Sequence, residues 1–213
     1  MFGVAGLGFQ RLEAQATGGD AKSRHNLKYG LWALHWVAGH LAGGVGLGVA
    51  LGWLGTWLSP SARAMGIVLL SAGCLAGALH QLQIIRLPLP QLQRQVTRTW
   101  MHDMPWNLVA LGYGLQLGCG VATRIKIATT YAMLGCALLS GSVAAGGLIL
   151  GLFGVVRSVL PVCLGPRLAS PQKSLVFALA FDAHEGRVSK LNGLVLLGVA
   201  VLLVSHSWRF IWG

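Results

Sequence analysis

Cys119 is followed at +5 and +7 by Arg124 and Lys126, inside the otherwise apolar stretch GLQLGCGVATRIKIATTYAM, Gly114–Met133. A thiol beside cations ionises more readily and becomes a nucleophile or a metal ligand. On a helix, five residues turn through ~500°, so Cys119 and Arg124 point ~140° apart, while Lys126 shares the Cys119 face about 10 Å further along. Cys119 therefore reads either as a packing cysteine or as a candidate redox or metal-handling thiol. His35 and His40 are the second candidate set. A metal pair on one helix face prefers a separation of three or four residues. At five, helix–helix hydrogen bonding is the first reading and metal or haem ligation the alternative. Arg124, Lys126, Arg157 and Arg86 form a third set, a candidate polar cavity; Arg86 and Arg157 could equally extend to the membrane interface. Cys74, Cys136 and Cys163 sit in apolar stretches without CxxC or Cys/His finger spacing, as small hydrophobes do. There is no phosphate loop, HExxH or nucleophile elbow. The five acidic residues leave none paired inside a span, which excludes carboxylate-driven pumping and hydrolysis and points to a non-enzymatic protein with no cofactor named by its sequence.

These residues must be positioned by membrane helices. Of 213 residues, 54% are hydrophobic and 10% charged, against ~25% charged in a soluble domain. No charge occurs in 29–62, 64–85, 104–123, 127–156 or 191–208. Roughly 20 apolar residues span a bilayer. The fold class is thus an all-α integral membrane protein. Residues 1–28 read as a polar cytoplasmic lead-in and 29–213 as a single transmembrane domain. MFGVAGLGF, at the start, is too short to span and no basic segment precedes it, which predicts an interfacial segment and no cleaved signal peptide. The net charge of +11 lies in short loops between spans, where cytoplasmic loops collect Lys and Arg. It implies anionic lipid headgroups as partners and no nucleic acid. The same bias predicts a cytoplasmic N-terminus, and a bacterial inner membrane is the expected location.

The expected spans are about 30–57, 64–85, 104–140, 143–163 and 191–208, with Ser140-Gly141-Ser142 as a turn. The region 164–190 reads as a loop holding a short apolar piece, SLVFALAF. With five crossings, eleven basic residues fall inside and only Arg63 and Arg209 outside; with six, the sides nearly balance at eight and seven. The bias favours five. Yet 37 residues of helix over 104–140 would measure about 55 Å, against a ~30 Å core. A single crossing there needs a broken helix, placed around 114–133.

IIRLPLP at Ile84–Pro90 and VVRSVLP at Val155–Pro161 share a plan and form a weak internal repeat. Repeated halves are frequent in membrane transporters. MGIVLLSAGCLAGALHQLQIIRLPLP resembles the third helix of the CcdA/DsbD-type transmembrane thiol–disulfide transporters, the cytochrome c biogenesis and sulfite-exporter-like proteins. LGYGLQLGCG resembles the start of their broken fourth helix, SGSVAAGGLILGLFGVVRSVLP their fifth and LNGLVLLGVAVLLV their sixth, over roughly residues 35–205. MFGVAGLGF offers no counterpart of the family's first helix, and the family's Pro-Cys pair is met by Gly118-Cys119 or, in another register, by Ala122. The resemblance therefore implies an N-terminally shortened relative with one redox cysteine at most, whereas dithiol exchange needs two. The expected function is a transport or accessory subunit of a membrane complex, with other membrane subunits covering its open faces. The alternatives are a redox or metal-handling protein using Cys119, or a small-anion exporter using Arg124, Lys126 and Arg157.

Overall fold

The structure is a computed structural model and describes residues 21–87, 105–120, 128–164 and 171–212. These form six helices: α1 (Ala21–Thr56), α2 (Pro60–Gln81), α3 (Trp106–Gly118), α4 (Thr129–Leu139), α5 (Val143–Leu164) and α6 (Pro171–Trp212). Four contain windows long and apolar enough to cross a membrane: Leu27–Thr56, Pro60–Gln81, Val143–Leu164 and Gly186–Ser205. Their outward faces carry apolar side chains such as Leu69, Leu148, Leu152, Val156, Leu194 and Leu202.

α1 is the axis of one half of the bundle, packed against α3 and α5. Glycines four residues apart set its two contact faces. Gly44, Gly48 and Gly52 lie against the backbone at Leu150, Gly146 and Ser142 of α5 and its entry turn, so α1 and α5 run antiparallel. Gly39 and Gly43 lie against Leu111 and Leu115, so α1 and α3 run parallel. Small residues at this spacing let backbones meet without intervening side chains, the main source of helix cohesion where lipid removes the hydrophobic drive. α2 and α6 form the other half, antiparallel, around Cys74, Ala78, Leu196 and Ala200. Ser189 of α6 donates to the Gln81 carbonyl at 2.9 Å. α4 joins the halves, touching α1, α2, α5 and α6.

The short helices are two parts of one path. The end of α3 lies level with His40 of α1, and Leu138 near the end of α4 lies level with Gly55. α3 and α4 therefore run the same way, one after the other along α1.

Local chemistry sets the helix ends. Ser59 caps α2, its hydroxyl accepting from the Ala62 amide at 3.2 Å, with Pro60 in the first turn, where its missing N–H costs nothing. Beyond α2, Gln83 takes a left-handed φ of 63°. The Ser140–Ser142 turn forms as expected, with Gly141 at φ 56°.

Two boundaries differ from expectation. α1 begins at Ala21, inside the segment read as a polar lead-in. The 164–190 loop is replaced from Pro171 by helix that runs on without a break into the final span. Lys and Arg there interrupt hydropathy but are good helix formers. Pro161 does not end α5, which continues to Leu164. A proline removes one helical hydrogen bond; here the last turn is held from outside, because Tyr29 donates its hydroxyl to the Val162 carbonyl.

Candidate functional site

One face of α1 carries a ladder of rings at Tyr29, Trp32, Trp36 and His40. Centroids of successive pairs lie 6.0, 5.2 and 5.0 Å apart, with the first two pairs stacked and the last tilted by 44°. Separations of three and four residues place these side chains above one another on a helix. Trp32 and Trp36 are buried against Ala110, Tyr113 and Leu117 of α3.

The ladder ends on His40, which has no exposed surface. Its backbone carbonyl is enclosed from two sides, by Gly118 of α3 and Gly154 of α5, and a methyl group on either glycine would overlap it. Its ring Nδ1 lies 2.9 Å from the Trp36 carbonyl, one turn back. A carbonyl only accepts, so Nδ1 carries the proton and Nε2 remains. Nε2 is buried and has no hydrogen-bond partner among the described residues.

Arg157 enters the same junction from α5, one turn beyond Gly154. Its guanidinium folds back over the Phe153 ring at 5.6 Å, the direction helical side chains take toward their own N-terminus. Its Nη1 is buried without a hydrogen-bond partner among the described residues. It faces Gly120, whose φ of 68° turns the chain out of α3; a Cβ there would stand 3.5 Å from Nη1. Cys119 closes the junction as the C-cap of α3, its thiol donating to the Gly43 carbonyl at 3.5 Å.

The structure thus brings His40, Cys119 and Arg157 together and separates the other sequence candidates from them. His35 points elsewhere: its Nδ1 lies 2.7 Å from the Leu31 carbonyl and its ring packs at 6.3 Å from Trp106. Both histidines commit Nδ1 to their own helix and sit ~140° apart around it. Among the described residues no three His, Cys, Asp or Glu side chains gather as a metal would require. Arg86 is exposed beyond the end of α2. The two repeated segments differ accordingly, Val155–Pro161 being helical and Ile84–Leu87 bend and irregular chain. Arg124 and Lys126 lie outside the described residues. Tyr29, Trp32, Trp36 and Gly154 escaped the sequence reading, and Gly118 and Gly120 entered it only as neighbours of Cys119. Their available signal was spacing: rings at 29, 32, 36 and 40, and glycines at 114 and 118.

No family model matches the chain, and no solved structure matches it significantly. The chain is similar to proteins described as methylamine utilization protein MauF. It is 35% identical to that of Paracoccus versutus over 140 residues, 66% of this chain and 47% of the relative. It is 33% identical to that of Paracoccus denitrificans over 172 residues, 81% of this chain and 57% of the relative. With the protein from Methylophilus methylotrophus the identity is 31% over 122 residues, 57% of this chain and 41% of the relative. The chain spans about half the length of the curated relatives it matches. The resemblance to CcdA/DsbD-type transporters is corrected by these matches, which run to a different family. Its Gly-, Leu- and Pro-based motifs are those that close helix packing imposes on many membrane proteins, and the similarity that extends across this chain is to the MauF proteins.

Proposed function

We propose that this chain is a multi-pass integral membrane protein that serves methylamine utilization as a non-enzymatic accessory or transport subunit of a membrane complex. The observation that carries the reading is the pairing of four long apolar helices with similarity to MauF proteins over up to 81% of the chain. α1, α2, α5 and α6 each cross once, and α3 with α4 makes a fifth, broken crossing. Irregular backbone at that depth is stable only inside protein or along a polar cavity, and the turn at Cys119–Gly120 that leaves α3 lies against Gly43 of α1 and Arg157 of α5. Residues from 29 onward act as one transmembrane domain. The loop charges put the N-terminus in the cytoplasm of a bacterium, with the domain in its inner membrane. Cys119 serves packing and a hydrogen bond, and His35 serves the helix interface.

Deleting the gene from a methylotrophic host tests the reading. Growth on methylamine is lost, growth on a multicarbon substrate is unaffected, and the gene in trans restores the first. The chain stays in the membrane pellet after alkaline carbonate washing and migrates on native gels with other subunits. Normal growth on methylamine would sink the assigned process, extraction by carbonate the membrane placement, and migration as a lone monomer the subunit role.

A further inference from the structure

The charge on Arg157 has no counterpart on the helices around it. The five acidic residues are Glu13, Asp20, Asp103, Asp182 and Glu185, so none occurs in α1, α2, α3, α4 or α5. A cation inside an apolar bundle is costly unless it is paired and hydrogen-bonded. Yet Nη1 of Arg157 is buried and unpartnered among the described residues, and the position in front of it is a glycine. His40, whose carbonyl lies against Gly154 one turn before Arg157, is fully buried, with Nε2 likewise unpartnered among the described residues. Two buried polar atoms with opposite needs thus belong to one α1–α3–α5 junction. Nη1 requires an acceptor, with negative charge for the guanidinium. Nε2, with the proton held on Nδ1, requires a donor.

We propose that Arg157 and His40 bind a small protonated oxyanion of the hydrogencarbonate or dihydrogenphosphate kind. Its oxygens accept from Arg157 Nη1 and neutralise the guanidinium, and its hydroxyl donates to His40 Nε2. Water would serve Nε2 but leave the charge unbalanced. A metal ion would be repelled by Arg157. A lipid headgroup does not reach the site: His40 lies 13 residues from one end of the Leu27–Thr56 window and 16 from the other, about 20 Å or more along the helix from each. Gly120 keeps the space open, since a side chain there would stand against Nη1. The site does not depend on a role in methylamine utilization.

The test uses the full chain in detergent, with sodium hydrogencarbonate, sodium phosphate and sodium chloride at matched ionic strength. A hydroxyl-bearing oxyanion raises Tm saturably and chloride does not. Arg157→Met removes the response. In the unaltered protein, phenylglyoxal modification of Arg157, read by mass spectrometry, slows roughly tenfold at ten times the dissociation constant. This arm decides the matter if Arg157→Met does not fold. The proposal is overturned by an equal response to chloride, by a response that survives Arg157→Met, or by an unaltered protein that shows neither Tm shift nor protection.

Discussion

Tyr29, in the early turns of α1, donates its hydroxyl to the carbonyl of Val162, 133 residues later in the last turn of α5. One bond fastens the start of the first long helix to the end of the fifth and holds the turn that follows Pro161. Tyr29→Phe keeps the ring in its stack and removes only this donor. A net hydrogen bond contributes about 1 kcal/mol, so Tm in detergent falls by a few degrees while helix content at low temperature is unchanged. An unaltered Tm would show that α5 holds its last turn unaided.

The α1–α5 contact depends on glycine at particular positions. A Cβ on Gly48 would collide with the Gly146 carbonyl, whereas a Cβ on Gly46, two residues away, meets nothing within 4 Å. Gly48→Ala is expected to destabilise by about 1–3 kcal/mol, as overpacking does. Gly46→Ala is expected to be neutral or slightly stabilising, since alanine is the better helix former. Thermal unfolding of the two variants side by side makes the comparison, and equal effects would refute the packing described.

Gln83 holds a left-handed backbone that L side chains adopt at a cost of roughly 1–2 kcal/mol. Gln83→Gly relieves that cost and is expected to leave stability unchanged or raise it by up to about 1 kcal/mol. Gln83→Val, branched at Cβ, is expected to lower it by at least about 1 kcal/mol. Tm measurement of both variants checks the order.

If α3 and α4 make one crossing, the α1–α2 turn and the α4–α5 turn emerge on the same side. Arg63 beside Gly141 already brings them together. Ser59→Cys and Ser142→Cys are therefore both expected to react with a membrane-impermeant maleimide from the same face of sealed vesicles. Labelling from opposite faces would require two crossings between Trp106 and Leu139.

The broad architecture was legible because uncharged windows of membrane length are hard to mistake. The break in 104–140 was legible too, since its length exceeds one crossing while the loop charges resist two. The first half of α6 was not. Charge interrupts hydropathy without interrupting a helix, so Lys173, Arg187 and Lys190 read as loop where the backbone runs on unbroken. Two residues of the candidate site were legible, and their grouping was not. Arg157 and His40 stood out as polar residues in apolar sequence, but 117 positions separate them. Only the glycines that bring α3 and α5 onto the His40 carbonyl join them, and a glycine in sequence does not say which helix it admits. The family resemblance failed for the same reason: Gly, Leu and Pro record how closely helices approach, whatever the protein does.

α6 runs for 42 residues, about 63 Å at 1.5 Å per residue, twice the ~30 Å hydrocarbon core of a bilayer. One crossing cannot contain a helix of that length. If α6 crosses, about half of it carries on past the hydrocarbon layer as a rigid extension of the span.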